Sequence, residues 1–299
     1  MILIIKMTSA CQPPDAEWRP LKVPPPAGST DCHVHIMGPF DKFRLSKQRG
    51  YTPEECPIET FQGLMKTIGI DRAVIVQGSA HGNDNRVTVD AVRKLGESGR
   101  GVVLVSPDIP DNELIQFKED GISGVRLSST SKAGYGMEYL PLMAERAREL
   151  DWLVLLHFSN IFEIIDLSAS LEAIPGDFII DHQGRPKAEE TISSRGFQTL
   201  LNLVKNTENC WVKLSSWYRQ SNSGPPYEDM RPFIEALMET RPDRLIWGSN
   251  WPHPNFRGPM PNDSDLLQQI IDWAGSADLT QKILVDNPVR LYRFQENFP

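Results

Sequence analysis

Short apolar or β-branched runs recur along the chain at 29–36 (STDCHVHI), 72–77 (RAVIVQ), 101–106 (GVVLVS), 123–127 (SGVRL), 152–158 (WLVLLHF), 177–182 (DFIIDH), 210–216 (CWVKLSS) and 244–249 (RLIWGS). Runs this short and this continuously apolar suit strands covered on both faces. Between them the period changes. Leu140, Met143, Ala144, Ala147 and Leu150 follow an i, i+3, i+4, i+7 rhythm, as do Phe197, Leu200, Leu201 and Val204, so each set predicts a helix with one buried stripe. Asp263 is a candidate cap for a helix over 264–275, and a closing helix over 280–294 is expected to break once at Pro288. Eight strands alternating with helices predict an α/β chain folded as a single-domain (β/α)8 TIM barrel over residues 29–299, with a doubly wound open sheet as the lesser alternative. Residues 1–28 are expected to form an N-terminal arm, because Pro13, Pro14, Pro20, Pro24, Pro25 and Pro26 exclude regular structure there; the arm either lies on the barrel or is loose.

Composition narrows the partners. In 299 residues, 40% are hydrophobic and 23% charged, which suits one soluble globular domain. A net charge of −8 without a basic stripe argues against a nucleic-acid surface, and no apolar stretch is long enough to span a membrane. The opening MILIIKM is interrupted by Lys6, too early for a secretory signal, and Met7 offers an alternative start; a cytoplasmic location is expected. Cys11, Cys32, Cys56 and Cys210 include no CxxC pair, so free thiols are expected rather than disulfides or a thiolate metal site. The Asn262-Asp263-Ser264 sequon is expected to be silent in that compartment. These features favour a small-molecule partner and leave the oligomeric state open.

All six histidines fall at or just after the end of a predicted strand: His33, His35, His81, His157, His182 and His253. Strand ends of a parallel barrel open onto one face, so these side chains are expected to meet there. His33 and His35 form an HxH pair whose imidazoles share one side of the strand, because side chains alternate with a period of two. Such a pair can bind a metal or polarise a carbonyl. His81 and His253 have the weaker claims, since a GSAHGNDN loop and a bend flanked by Pro252 and Pro254 use histidine equally well for shape. Arg126, Lys132, Arg185 and Arg219 follow strand ends in a net acidic chain. Guanidinium forks match carboxylates, so an anionic substrate is expected. No G-x-S-x-G elbow or phosphate-binding glycine loop occurs.

With these residues in view, the chain resembles the amidohydrolase superfamily, and within it the 2-pyrone-4,6-dicarboxylate hydrolase and lactonase family. The resemblance runs from Pro24 to Phe294 through PPPAGSTDCHVHIMGP, VQGSAHGNDN, GVRLS, IDHQGRP, SGPPYED, WGSNWPHP and NPVRLYRF. It implies a hydrolase of aromatic catabolism that opens a carboxylated lactone or pyrone ester, of the 2-pyrone-4,6-dicarboxylate or muconolactone kind. It also implies that His33, His35, His182 and position 250 are catalytic, and that Tyr51, Ser79, Arg126, Lys132, His157, Arg185, Arg219 and His253 contact substrate.

Three positions depart from that family. Its eighth-strand acid, which takes a proton from water, is Asn250 here, and an amide is no general base near neutral pH. His157 replaces a tyrosine of the metal-independent pyrone hydrolase and matches the mononuclear metal branch. Its presence makes His33, His35 and His157 a candidate site for one divalent ion, zinc by preference, against the alternative of no metal. Strand four ends in Arg126 without a lysine, which argues against a two-metal site. Lys132 stands for an arginine, keeping the charge and losing the fork. Three readings follow: a lactone hydrolase, represented here by an inactive form if Asn250 is a replacement; an aldarolactone isomerase with native Asn250, in which a substrate hydroxyl replaces water; and a non-catalytic carboxylate-binding barrel.

Overall fold

A computed structural model describes residues 9–131 and 133–295. All eight expected strands form: β1 Thr30–Val34, β2 Arg72–Val76, β3 Gly99–Val103, β4 Ile122–Ser128, β5 Leu153–His157, β6 Phe178–Ile180, β7 Cys210–Leu214 and β8 Leu245–Trp247. They pair in parallel in chain order as one eight-stranded sheet. The seam between β8 and β1 is closed just beyond β8, where Asn250 N donates to His33 O (2.8 Å) and His35 N donates to Trp251 O (2.8 Å). Gly248 makes that approach possible, since a Cβ there would stand 2.6 Å from His33 Cβ and 2.8 Å from its backbone nitrogen. The architecture is a (β/α)8 barrel.

Outside the sheet lie α1 Ile58–Ile68, α2 Arg86–Leu95, α3 Asp111–Glu119, α4 Leu140–Glu149, α5 Phe162–Glu172, α6 Arg195–Asn206, α7 Arg231–Thr240 and α8 Asp263–Ala274. Most of each 3.6-residue stripe is buried, with Leu140, Met143, Ala144 and Ala147 of α4 and Phe197, Leu200 and Val204 of α6 packed against the sheet and Leu150 and Leu201 partly buried. Alternate strand residues point the other way and fill the barrel: Val74, Val76, Val102, Leu155, Ile179, Trp211 and Ile246, with Tyr292 and Phe294 in the same cluster.

Three local details differ from the pattern. β3 begins at Gly99, two residues before its apolar run, because Gly-Arg-Gly pairs with β2 although it carries little apolar surface. The cap of α8 is Asn262, whose side chain accepts from Ser264 N (3.0 Å), and Asp263 is the first helical residue. The closing helix is not broken at Pro288: it runs on from α9 Ala277–Gln281 through a π segment, Lys282–Asp286, into α10 Asn287–Tyr292, with Pro288 directly after the widened turn.

The described part of the arm lies on the barrel. Cys11 N donates to Thr52 O (2.8 Å), Arg19 N to Ser264 Oγ (3.0 Å) and Lys22 N to Gln268 Oε1 (3.0 Å). All four cysteines are free and buried. Among the described residues no helix is long and apolar enough to cross a membrane.

Candidate active site

At the C-terminal ends of the strands a cavity of about 690 Å³ is lined by His35, Tyr51, Ser79, Arg126, His157, His182, Arg185, Arg219 and Asn250. These are nine of the residues expected there, drawn from β1, β2, β4, β5, β6, β7 and β8 or the loops after them. Lys132 lies outside the described residues, although Thr130 and Ser131 beside it line the wall. His33 sits beneath His35, with no exposed surface. His253 is behind Asn250 and does not reach the cavity. His81 departs from the expected convergence: its Nδ1 lies 3.2 Å from Arg44 O, and its buried ring orders a loop outside the cavity.

Left-handed backbone shapes the two turns that matter. His182 (φ 53°) and Asn250 (φ 66°) both adopt it, at a cost of roughly 1–3 kcal/mol for a non-glycine residue that the surrounding packing sustains.

Below the cavity the imidazoles join into one network. His35 Nδ1 lies 2.7 Å from Val76 O, which fixes the proton on Nδ1 and leaves a lone pair on Nε2. His33 Nε2 stands 3.2 Å from that lone pair. Lys213 Nζ donates to His33 Nδ1 (3.1 Å) and lies 3.2 Å from Asp181 Oδ1. With His33 Nδ1 accepting from Lys213, one direction runs from the ammonium through His33 and His35 to Val76 O; Asp181 Oδ1 also lies 3.3 Å from that Nδ1. His182 Nδ1 bonds Ser215 Oγ at 2.6 Å, and Arg126 Nη2 donates to His157 Nδ1 at 3.1 Å.

Electrostatics keep the imidazoles neutral. Burial, aided by Lys213 and opposed by Asp181, pulls His33 down to about 3, and burial brings His157 to about 4. Burial takes His35 and His182 well below the usual range as well. Asp181 remains a carboxylate although burial opposes it, because Lys213, His33 and His182 lower its pKa.

The cavity wall is cationic. Among the described residues Arg49, Arg185 and Arg219 pair with no carboxylate within 4.0 Å, and Arg126 reaches only Asp181, at 3.9 Å. Among the described residues the buried Nε of Arg126 has no hydrogen-bond partner. Guanidiniums left unpaired at one opening suit a ligand with more than one acidic group.

The Nε2 atoms of His33 and His35 have the separation of two ligands at one tetrahedral ion with bonds of about 2.0–2.1 Å. An ion there would replace the one proton between them. The donors that draw together within 4.8 Å are those of His33, Asp181 and His182. His157 is turned differently from the expected triplet, with Arg126 on its Nδ1. His33 with His35, or with Asp181 and His182, thus fits one divalent ion or none.

Residues 30–294 match the family model described as Amidohydrolase. The chain belongs to the amidohydrolase family. Among its amidohydrolase relatives, a 4-sulfomuconolactone hydrolase of Rhizobium radiobacter is 38% identical over 94% of this chain and 95% of its own. A 2-pyrone-4,6-dicarboxylate hydrolase of Comamonas testosteroni is 36% identical over 89% and 90%, and a D-galactarolactone isomerase of Agrobacterium fabrum is 28% identical over 90% and 92%. The crystal structure of a putative 2-pyrone-4,6-dicarboxylic acid hydrolase from Pseudomonas putida superposes with a TM-score of 0.79, at 29% identity, over 90% of this chain and 99% of that one.

Four residues in or behind the wall of the amidohydrolase cavity escaped the sequence reading: Asp181, Lys213, Tyr218 and Arg49. Lys213 was the most legible of them, since it falls in step with the inward Trp211 within an apolar run.

Proposed function

We propose that this protein opens the ring of a lactone carrying two acidic groups, a hydrolase of the 4-sulfomuconolactone or 2-pyrone-4,6-dicarboxylate kind. The observation that carries this reading is the meeting of unpaired Arg49, Arg185 and Arg219 with neutral His35, His157 and His182 around one cavity. The arginines hold the acidic arms and fix the ring. Arg126, whose guanidinium borders the cavity beside His157, is placed to stabilise negative charge on the carbonyl oxygen.

Asn250 cannot accept the proton of an attacking water, so that work falls to an imidazole. In the tautomer that donates Nδ1–H to Ser215 Oγ, His182 keeps a lone pair on Nε2. Water adds to the carbonyl carbon as His182 takes its proton. The ring C–O bond then breaks, and the imidazolium returns that proton to the leaving oxygen. A divalent ion held by His33 and His35 would supply polarisation of the ester carbonyl.

Asn250 also favours a second reading, lactone isomerisation, in which a hydroxyl of the substrate attacks in place of water. Incubation with 4-sulfomuconolactone, 2-pyrone-4,6-dicarboxylate and D-galactarolactone, followed by NMR, distinguishes the two. Ring opening of either unsaturated lactone is expected. Interconversion of galactarolactone ring forms with both unsaturated lactones untouched would replace the hydrolase reading by the isomerase one, and no reaction with any of them would favour a carboxylate-binding barrel.

A further inference from the structure

Behind Asn250, three buried polar side chains stand in line. Asn250 Nδ2 donates to Tyr218 Oη (2.9 Å), Tyr218 Oη lies 2.8 Å from His253 Nδ1, and His253 Nε2 lies 3.1 Å from Asp263 Oδ1. Tyr218 follows β7, His253 follows β8, and Asp263 opens α8, so separate segments converge to build the line. All three are buried, and none lines the cavity. Placing a carboxylate, an imidazole and a phenol together in the interior carries a desolvation penalty that apolar side chains would avoid, which marks the line as a device rather than packing. The chemistry proposed above makes no use of it.

An amide has two unlike ends. With Nδ2 held by the phenol, the end left for the cavity is Oδ1, an acceptor. The backbone of Asn250 is pinned as well, through its N–H to His33 O (2.8 Å), so rotation of the amide is the freedom that remains.

We propose that Tyr218, His253 and Asp263 are positioning residues that lock the Asn250 amide with Oδ1 facing the cavity, where it orients the attacking hydroxyl, whether of water or of the substrate. This rests on the lactone reading of the cavity. The Asp263 carboxylate stands beside the imidazole at Nε2 as a charge partner without a hydrogen bond, the imidazole holds the phenol by Nδ1, and the phenol oxygen accepts from Nδ2. Loss of the phenol frees the amide to turn and point a donor where an acceptor is needed. A carboxylate at the same place has two like ends and needs no such lock.

That asymmetry supplies the test. Tyr218→Phe is made in the parent and in Asn250→Asp, and kinetics are measured with 4-sulfomuconolactone. In the parent, kcat is expected to fall by about tenfold or more, as misplacement of a reacting group commonly does, with KM within about twofold because the arginines are untouched. In the Asn250→Asp background the same change is expected to alter kcat by less than about threefold, a non-additive result. Equal losses in both backgrounds would overturn the proposal. Asp263→Asn, which keeps the shape of the line, is expected to repeat the pattern more weakly, and serves if Tyr218→Phe does not fold.

A second measurement needs no turnover. In ¹⁵N–¹H spectra the Asn250 side-chain amide, assigned by its disappearance in Asn250→Asp, is expected to show one proton protected from exchange, with protection lost in Tyr218→Phe. An unprotected amide in the parent would overturn the proposal. A protected amide in a protein that leaves every lactone unchanged would instead count against the lactone reading alone.

Discussion

Lys213 Nζ lies 3.2 Å from Asp181 Oδ1, with neither side chain exposed. Beneath the imidazoles the barrel therefore carries its own ion pair. Removing one member of a buried pair leaves an uncompensated charge, at a cost of about 3–5 kcal/mol. Lys213→Met is expected to lose stability on that scale in urea denaturation, and Lys213→Met with Asp181→Asn to recover much of it. A double variant no more stable than the single one would show that the lysine acts through its volume rather than its charge.

Arg219 is held in place by donation to Pro254 O (2.8 Å) and by the Phe256 ring, its guanidinium 5.3 Å from the ring centroid, with no carboxylate partner within 4.0 Å among the described residues. Arg219→Met is expected to weaken binding of 2-pyrone-4,6-dicarboxylate by ten- to a hundredfold, about 1.5–3 kcal/mol. Calorimetric titration measures it. Unchanged affinity would remove Arg219 from the substrate site.

Zinc titration followed by metal analysis is expected to saturate at no more than one equivalent. His33→Ala and His35→Ala are expected to lower uptake, while His157→Ala leaves it unaltered, because Arg126 already occupies His157 Nδ1. Loss of zinc on His157→Ala, with retention on His182→Ala, would restore the triplet of His33, His35 and His157.

Gly248→Ala brings a methyl group to within 2.6 Å of His33 Cβ, where the main chain leaves no room. A loss of roughly 1–3 kcal/mol is expected from overpacking, read as a lower thermal midpoint. Retention of the parent midpoint would mean that the two strand ends can separate at no cost.

The fold was legible because each strand is a short apolar run and helices such as α4 and α6 carry a stripe at 3.6-residue spacing. β3 was located two residues late, since Gly99, Arg100 and Gly101 pair through backbone groups that have no signature in side-chain hydropathy. The cavity was legible where a polar residue interrupts the end of an apolar run, as His157 and Arg126 do. Asp181 was hidden beside His182, which drew the attention that both warranted. Lys213 was hidden for another reason: a lone lysine in a strand reads as an outward residue unless its phase is compared with Trp211, which points into the barrel. Tyr218 and Asp263 left no local trace, because their importance arises only when two loops and a helix start are brought together.

The last strand of the barrel meets the first at Asn250 and His33, through a main-chain bond between two residues that the chemistry also engages. Sealing the cylinder and assembling the reactive centre are thereby one event. A chain that has formed every other strand pair but left this seam open would have a complete set of arginines and no reaction chamber, so recovery of activity on refolding should track the final closure and not the earlier gain of secondary structure.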